Sequence, residues 1–266
     1  MTPCAFFLLL LTNPTWYGSA PPTPSRVVSL APSVTATIVA LGATSRLVGV
    51  SRFDDPHPEL DKLPRFGGTK DLSVEAVLAA QPDLVVSVHS QRLTTTHSRL
   101  SRLGVAVVTF DGETIDGFLD SVSTLGNLLD RREEASRLGD ELQHALRDGS
   151  QRKPLQGETV LIVVSRKPLY AAGPSTYLGE IVRRLGAKNV VADQARAFVA
   201  IGRESVLALG PSVVIDLSGE PDTPIALARG RRWLISHAHG LRRVGPGLAD
   251  GLSALVDEIE SGVQAR

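Results

Sequence analysis

Cysteine, aromatic residues and net charge are all scarce in this sequence of 266 residues. The single cysteine, Cys4, excludes an internal disulfide framework and any metal cluster built on several thiolates. Lys and Arg number 28, and Asp and Glu also number 28, so the chain lacks the basic excess that nucleic-acid binding requires. The hydrophobic content of 42% and charged content of 21% are instead typical of a folded protein with one large domain or two lobes.

The sequence also lacks an apolar run long enough to cross a bilayer. Its strongest run, residues 5–11, is much shorter than the roughly 20 residues of a transmembrane helix, but it is typical of a secretory signal. Small residues at 18–20 offer a cleavage point, and Pro21 begins an extended linker. We therefore expect residues 1–25 to be a signal-like segment and linker, and the protein to be periplasmic or extracytoplasmic. A disordered or buried tail is the alternative, and Cys4 precedes the apolar run, so it is not placed for lipidation.

Short runs rich in Val, Leu and Ile alternate with helical patterns along the rest of the chain. The runs are continuous rather than alternating, which favours strands buried on both faces of a parallel sheet. Strands that alternate with helices predict βαβ units and an α/β fold. The predicted strands are residues 26–31, 47–50, 84–88, 105–109, 159–164 and 213–217.

One segment in the middle of the chain has a different pattern. Residues 114–147 contain no proline, and their apolar residues recur with a period near 3.6. We expect a single amphipathic helix there, about 50 Å long at about 1.5 Å per residue. The predicted architecture is two Rossmann-like lobes with parallel sheets, residues 26–112 and 151–266, joined by one long rigid interlobe helix within residues 113–150.

The two halves of the sequence share a repeated unit. Residues 73–86 (SVEAVLAAQPDLVV) are echoed by residues 202–215 (GRESVLALGPSVVI). Each is interpreted as a short helix with a glutamate near its start, followed by a proline and a buried strand. The matched glutamates Glu75 and Glu204, one per lobe, are the most specific internal signal. The alternative is that acidic residues simply favour helix N-termini through the helix dipole.

The sequence contains none of the phosphate-loop, nucleophile-elbow, HExxH and dinucleotide-binding motifs. An enzyme in which Ser33 and a histidine form a nucleophile pair is a minor alternative. His237 and His239 are candidate metal ligands, but a zinc or manganese site needs three or four converging ligands and the sequence offers no clear set. Asp54 and Asp55 precede a proline, where carboxylates usually serve as turn or cap groups. We expect neither enzyme activity nor a resident cofactor or metal.

Three aromatic residues fall in predicted loops rather than in core patterns: Phe53, Tyr170 and Phe198. Phe53 and Tyr170 lie beyond the ends of predicted strands, and Phe198 precedes the Glu204 helix. In open α/β sheets, ligands bind beyond the carboxyl ends of the strands. Flat side chains there can stack on a planar or macrocyclic ligand. The alternative is that each of the three anchors a local core.

Several stretches of the sequence, taken together, resemble one family. They are RVVSLAPSVT at 26–35, VGVS at 48–51, residues 67–86, AGPSTYL at 172–178, RESVL at 203–207 and GPG at 245–247. The chain resembles the periplasmic substrate-binding proteins of ABC importers for cobalamin, haem and iron–siderophores, and the cobalamin-binding members most. The resemblance runs from residue 26 to the C-terminal helix. It implies a class III architecture and a monomer that holds a small-molecule ligand between its lobes and delivers it to a permease dimer.

The resemblance also implies roles for individual residues. Glu75 and Glu204 match glutamates that dock onto arginines of the permease. Exposed charge pairs of this kind align the two proteins and speed their association more than they strengthen the complex. The ligand-binding positions that the resemblance implies are Ser33, Thr35, Phe53, Tyr170, Phe198, His239 and Arg243.

The sequence departs from the cobalamin-binding members at His239 and at two positions outside this set. Val88 and Thr69 stand where those members have tryptophans, and His239 replaces an aspartate. Because stacking surface is lost, haem and ferric siderophores are alternatives to a corrinoid, as is zinc or manganese on the same architecture. The candidate haem ligands are Tyr170, His89 and His239. The candidate arginines for an anionic siderophore are Arg52, Arg196, Arg242 and Arg243.

Overall fold

The computed structural model describes residues 14–67, 72–191, 196–220 and 232–262, which build two α/β lobes. The strands of the first lobe are β1 (Thr15–Tyr17), β2 (Val27–Ser29), β3 (Leu47–Ser51), β4 (Arg65–Phe66), β5 (Leu84–Val88) and β6 (Ala106–Phe110). Its helices are α1 (Pro32–Ala40), α2 (Val74–Ala79), α3 (Thr94–Arg102) and α4 (Ile115–Leu128).

The helix α5 (Arg132–Arg152) follows, and the second lobe comes after it. The strands of this lobe are β7 (Thr159–Arg166), β8 (Leu169–Ala172), β9 (Lys188–Asn189), β10 (Phe198–Ala200), β11 (Val213–Asp216) and β12 (Arg232–Ile235). Its helices are α6 (Tyr177–Arg184), α7 (Arg203–Leu209) and α8 (Leu248–Glu260). The described chain also has short 3-10 turns at Thr44–Arg46, Gln91–Leu93 and His239–Leu241.

Each lobe is built on one mixed sheet. The strand order is β1-β6-β5-β2-β3-β4 in the first lobe and β10-β8-β7-β11-β12 in the second, with β9 beside β7. The central strands pair in parallel, which confirms the two-lobed α/β prediction. The prediction of purely parallel sheets is wrong for β1, β8 and β10, which pair antiparallel. The strand β8 follows β7 after only Lys167 and Pro168, a connection too short for a parallel crossover.

The predicted single helix over residues 114–147 is two helices in the structure. Asp130 adopts a left-handed conformation with a φ of 57°, and it separates α4 from α5. The helices then approach closely at Gly126, where an added Cβ would lie 2.4 Å from the Cβ of Ala135. The helix that leads into the second lobe is therefore α5, whose 21 residues span roughly 31 Å rather than about 50 Å.

The helix α5 packs against both lobes. It contacts α4 on the side of the first lobe and α6 and α8 on the side of the second. One apolar core cluster runs from α1 and the first sheet through α4 and α5 to the second sheet and α8. Alternate residues of the central strands face two smaller clusters, one per lobe. The shared core fixes how the two sheets face each other.

Part of the expected signal-like segment belongs to the first lobe. The apolar run at 5–11 and Cys4 lie outside the described residues, but β1 pairs with β6 at the edge of the sheet, with Trp16 opposite Val108. The ring of Tyr17 lies 5.4 Å from that of His97 on α3. Cleavage at residues 18–20 would therefore remove a strand of the sheet. Among the described helices, none has the length and apolar character needed to span a bilayer.

Candidate functional site

The loops after the parallel strands of the two lobes meet at the boundary between the lobes. The backbone N–H of Tyr177, the first residue of α6, donates to the carbonyl of Glu113, which follows β6, at 2.7 Å. A small cavity at this boundary is lined by residues of both lobes, among them Ser33, Val88, Phe110 and Val244. Ligands of α/β proteins bind at such strand ends. We therefore take this boundary, called the cleft below, as the candidate site.

An ion pair joins the two lobes at the cleft. The Nη1 atom of Arg243 lies 3.0 Å from Oδ2 of Asp55, and its Nη2 atom lies 3.3 Å from Oδ1. The contact is thus bidentate, with one guanidinium edge facing one carboxylate. The exposed fractions of the two side chains are 48% for Arg243 and 73% for Asp55, so both remain in contact with solvent.

The loop after β3 positions Phe53 and Asp55 by burying the residue between them. The N–H of Asp54 donates to the carbonyl of Ser51 at 3.1 Å, and Arg65 donates to the carbonyl of Asp54 at 2.9 Å. Burial raises the pKa of the Asp54 carboxyl, while a hydrogen bond with Thr35 opposes this rise. Asp54 therefore anchors the loop from inside, and its two neighbours face outward.

The two predicted ligand contacts on α1 have different surroundings. Thr35 is buried, and its hydroxyl lies 2.8 Å from Ser29 Oγ and 3.2 Å from the carbonyl of Ala31. Ser33 is half-buried and lines the cavity of the cleft. Thr35 therefore supports the loops from below, whereas Ser33 lies at the surface where a ligand would enter. A ligand contact by either residue remains a prediction.

The three predicted aromatic residues are exposed, and none belongs to the core clusters. The guanidinium carbon of Arg52 lies 4.9 Å from the centre of the Phe53 ring, a cation–π distance. Tyr170 pairs with Ala200 and Phe198 with Ala172, so the register places both aromatic residues on one face of β8 and β10. Within the described residues, no ring contact links any two of Phe53, Tyr170 and Phe198. The structure thus brings Tyr170 and Phe198 together, and places Phe53 in the other lobe.

The turn that carries His239 and Arg243 is held by Tyr177. The Tyr177 hydroxyl donates to the carbonyl of Leu241 at 2.8 Å, and burial raises the pKa of this hydroxyl while the charge of Arg243 lowers it. His239 is exposed at the start of the turn. The guanidinium of Arg242 lies against Gly219, within 2.7 Å of where a Cβ would stand. This turn therefore presents an imidazole and two guanidinium groups beside the end of β11.

A buried ion pair lies under the same side of the cleft. The Nε atom of Arg166, at the end of β7, lies 2.7 Å from Oδ2 of Asp216, at the end of β11. Oδ1 of Asp216 accepts the N–H of Ser218 at 2.9 Å. These bonds fix the loops that follow two neighbouring strands of the second lobe.

The zinc or manganese alternative finds no ligand set in the part of the chain that the structure describes. No group of three or more His, Cys, Asp and Glu side chains lies close enough there to hold a metal ion. His237 lies near Glu258, with 3.9 Å between Nδ1 and Oε1. Thr69, one of the positions where the family resemblance expects a tryptophan, lies outside the described residues.

The repeated units are closely equivalent in the structure. Glu75 and Glu204 are exposed and lie in the first turns of α2 and α7. These helices end at left-handed residues, Gln81 with a φ of 47° and Gly210 with a φ of 59°. Each helix runs antiparallel to the parallel strand that follows it. Its first turn therefore lies near the carboxyl end of that strand, at the edge of the sheet that faces the cleft.

The Glu75 carboxylate has two polar partners on the first lobe. The Glu75 carboxylate lies 2.8 Å from Arg99 and accepts a hydrogen bond from Ser73. The pKa of Glu75 is lowered by the hydrogen bond from its own backbone N–H, then by Ser73 and by the charge of Arg99. Docking by either glutamate remains a prediction.

Sequence reasoning missed the bridging role of Asp55. The two adjacent aspartates were expected to be turn or cap groups, and Asp54 does hold the loop. Asp55 instead reaches across the cleft to a residue 188 positions away. No local pattern in the sequence distinguishes the two aspartates.

Comparison with known proteins gives the family. The model of the periplasmic binding protein family matches residues 27–225. The vitamin B12-binding protein of Pectobacterium carotovorum is 28% identical over 221 residues, covering 81% of this chain and 79% of that protein. An uncharacterized ABC transporter substrate-binding lipoprotein of Bacillus subtilis is 26% identical over 254 residues, covering 89% and 80%. A periplasmic haem-binding protein of Pseudomonas aeruginosa superposes with a TM-score of 0.70 at 27% identity, covering 88% and 91%. The chain therefore belongs to the periplasmic binding protein family.

Proposed function

We propose that this protein captures a metal chelate, a cobalamin-like corrinoid or haem, between its lobes and delivers it to the permease of an ABC importer. The observation that carries the proposal is the cleft, where the Asp55–Arg243 pair joins the strand ends of both lobes and Phe53 is exposed two residues from Asp55. The family gives the protein an extracytoplasmic location. Relatives named for vitamin B12 and for haem support both ligand classes.

The proposed contacts divide between stacking and polar groups. Phe53, Tyr170 and Phe198 offer exposed rings for a macrocycle. Ser33 and His239 offer polar groups at the cleft, and Thr35 supports the segment that carries Ser33 through its bonds to Ser29 and Ala31. Tyr170 or His239 can also ligate haem iron, because both side chains are exposed. The ligand is cargo, so neither turnover nor a resident cofactor is part of the proposal.

Retention of a coloured ligand tests the capture. Purified protein is mixed with cyanocobalamin or haemin, passed through gel filtration, and its visible spectrum is recorded. We expect about one chelate per chain. Replacing Phe53, Tyr170 and Phe198 with alanine should weaken binding at least about tenfold, because each stacking contact is lost. The matched control is Leu103→Ala, an equally exposed apolar residue on the first lobe. Retention of neither ligand by the unaltered protein contradicts the proposal.

Delivery is tested separately from capture. We expect Glu75→Arg with Glu204→Arg to abolish uptake in cells while ligand affinity stays unchanged, because exposed charges at the rim guide docking. The control is Asp116→Arg with Glu133→Arg, which reverses two other exposed acids in helix first turns. Normal uptake by the first double variant contradicts the docking role.

A further inference from the structure

The Arg243 guanidinium is able to bind an acidic group, and in the structure the Asp55 carboxylate occupies it. Both terminal nitrogens of Arg243 face the carboxylate of Asp55, at 3.0 and 3.3 Å. The planar guanidinium fork matches a carboxylate or phosphate in this bidentate way, which a lysine cannot do. The Asp55 carboxylate comes from the opposite lobe, the direction from which a ligand in the cleft would also meet Arg243.

The pair is placed so that another acid can replace Asp55. Exposed ion pairs are weak, because water and salt screen them and both side chains lose rotamer freedom. Asp55 is 73% exposed and Arg243 is 48% exposed. An acidic group that enters the cleft therefore displaces Asp55 at little cost. The buried Arg166–Asp216 pair beneath the cleft, with exposures of 9% and 0%, has no such freedom.

Among the described residues at the strand ends of the second lobe, the cations Arg166, Lys167, Arg242 and Arg243 outnumber the carboxylates Asp216 and Glu220. Arg166 is matched by Asp216, and Lys167 has only a distant contact with Glu220, at 4.0 Å. Arg242 and Arg243 both follow the His239 turn, and Asp55 of the first lobe is the carboxylate that faces Arg243. The first lobe contributes one cation here, Arg52, which stacks on the adjacent Phe53 ring. The positive charge of the second lobe therefore favours a negatively charged group beside Arg243.

We propose that Asp55 is an internal competitor for Arg243, and that the transported ligand carries an exposed carboxylate that takes its place. This inference rests on the proposed capture function and narrows it to acidic chelates. It makes a prediction of opposite sign for the two partners. Loss of Asp55 should strengthen binding of an acidic ligand, and loss of Arg243 should weaken it.

Two matched pairs of probes separate charge from the rest of the ligand. The first pair is haemin, with two propionates, and its dimethyl ester. The second pair is cyanocobalamin, with amide side chains, and its derivative with one amide hydrolysed to a carboxylate. Dissociation constants are measured by absorption for the unaltered protein and for Asp55→Asn, Arg243→Gln and Arg243→Lys.

We expect the unaltered protein to bind the acidic member of at least one pair about tenfold more tightly than the neutral member, the scale of a charged hydrogen bond. Asp55→Asn should tighten the acidic member by about two- to fivefold and leave the neutral member unchanged. Arg243→Gln should abolish the tighter binding of the acidic member. Arg243→Lys should keep part of it, because lysine retains the positive charge but lacks the bidentate guanidinium. Glu59→Gln, which removes another exposed carboxylate near the loop after β3, is the control and should change nothing.

Two results overturn the inference while leaving capture intact. One is equal binding of acidic and neutral members by the unaltered protein. The other is weaker binding of the acidic member by Asp55→Asn, which would make Asp55 a ligand contact or a clamp rather than a competitor. If the unaltered protein binds none of the four probes, the proposed function itself fails, and this inference fails with it.

Discussion

The two lobes contain the same helix–proline–strand unit, but the units keep only their buried parts in common. Val77 of α2 and Val206 of α7 are 0% and 2% exposed, and each anchors its helix to its own sheet. The exposed positions differ: Leu207 of α7 is 53% exposed, whereas the equivalent Leu78 is half-buried. Burial therefore preserves the position of the first-turn glutamate, and the surface around it is free to vary between the lobes.

The strands that follow these helices differ in charge. β5 carries Ser87 at the position where β11 carries Asp216, and both residues are buried. Asp216 binds Arg166, whereas the Ser87 hydroxyl has only a long contact, 3.4 Å, with the carbonyl of Val88. At these equivalent positions the second lobe has a buried ion pair where the first lobe has a neutral hydroxyl. Asp55 of the first lobe supplies the carboxylate that crosses the cleft.

The largest difference in stability between the two lobes is expected when the buried Arg166–Asp216 ion pair is broken. Asp216→Ala leaves the Arg166 charge buried without its carboxylate and should lower the free energy of unfolding by about 3–5 kcal/mol. Ser87→Ala, at the equivalent position, should cost about 1 kcal/mol or less, because one weak hydrogen bond is lost. Urea unfolding of both variants measures the difference. Equal losses would mean that the charge difference between the lobes has no structural consequence.

We expect a falling pH to destabilise the first lobe before the second. Burial, and then the charge of His89, lowers the pKa of His97 from 6.5 to about 4. The unfolded chain therefore takes up this proton near pH 6.5 and the folded chain only near pH 4, so stability falls as the pH drops through that window, by about 3 kcal/mol in total. Of the six histidines, the other five are at least partly exposed.

Unfolding at a series of pH values measures this effect. His97→Phe should flatten the dependence between pH 6.5 and about 4, and His144→Gln, at an exposed position, should leave it unchanged. A dependence that persists in His97→Phe would place the acid-sensitive group elsewhere.

The smallest difference in stability is expected for the buried valines of α2 and α7, where we expect the two lobes to respond equally. Val77→Ala and Val206→Ala each remove two methyl groups from a filled core and should each cost about 2 kcal/mol. Thermal unfolding measures both, and Ala79→Gly with Ala208→Gly gives a matched exposed pair. A loss in one lobe only would show that the repeated units are not equivalent in their packing.

The central strands were predictable because their residues are buried on both faces. The run at 84–88 became β5 with the predicted bounds, since Leu84, Val85 and Val86 are all fully buried. The break at Asp130 was not predictable, because the apolar period continues across it on both helices. β1 and β10 have only three residues each and depend on a partner strand far along the chain.

The candidate site was predictable only in part, and for a physical reason. Aromatic residues outside any core pattern carry a local signal, and Phe53, Tyr170 and Phe198 are indeed exposed. The prediction that all three lie in loops is wrong for Tyr170 and Phe198, which belong to the short strands β8 and β10. The Asp55–Arg243 contact depends on how the two lobes face each other, which α4, α5 and their shared core determine. No spacing within the sequence encodes that distance.

Hydrogen exchange in the presence of cyanocobalamin or haemin tests the central claim, that ligand binds between the lobes. The amides to follow are those of the loop at residues 51–55 and of the turn at residues 239–243. We expect one of these ligands to slow exchange in both segments together, because each lobe contributes one wall of the site. Slower exchange in one segment alone, or in neither segment with either ligand, would contradict it.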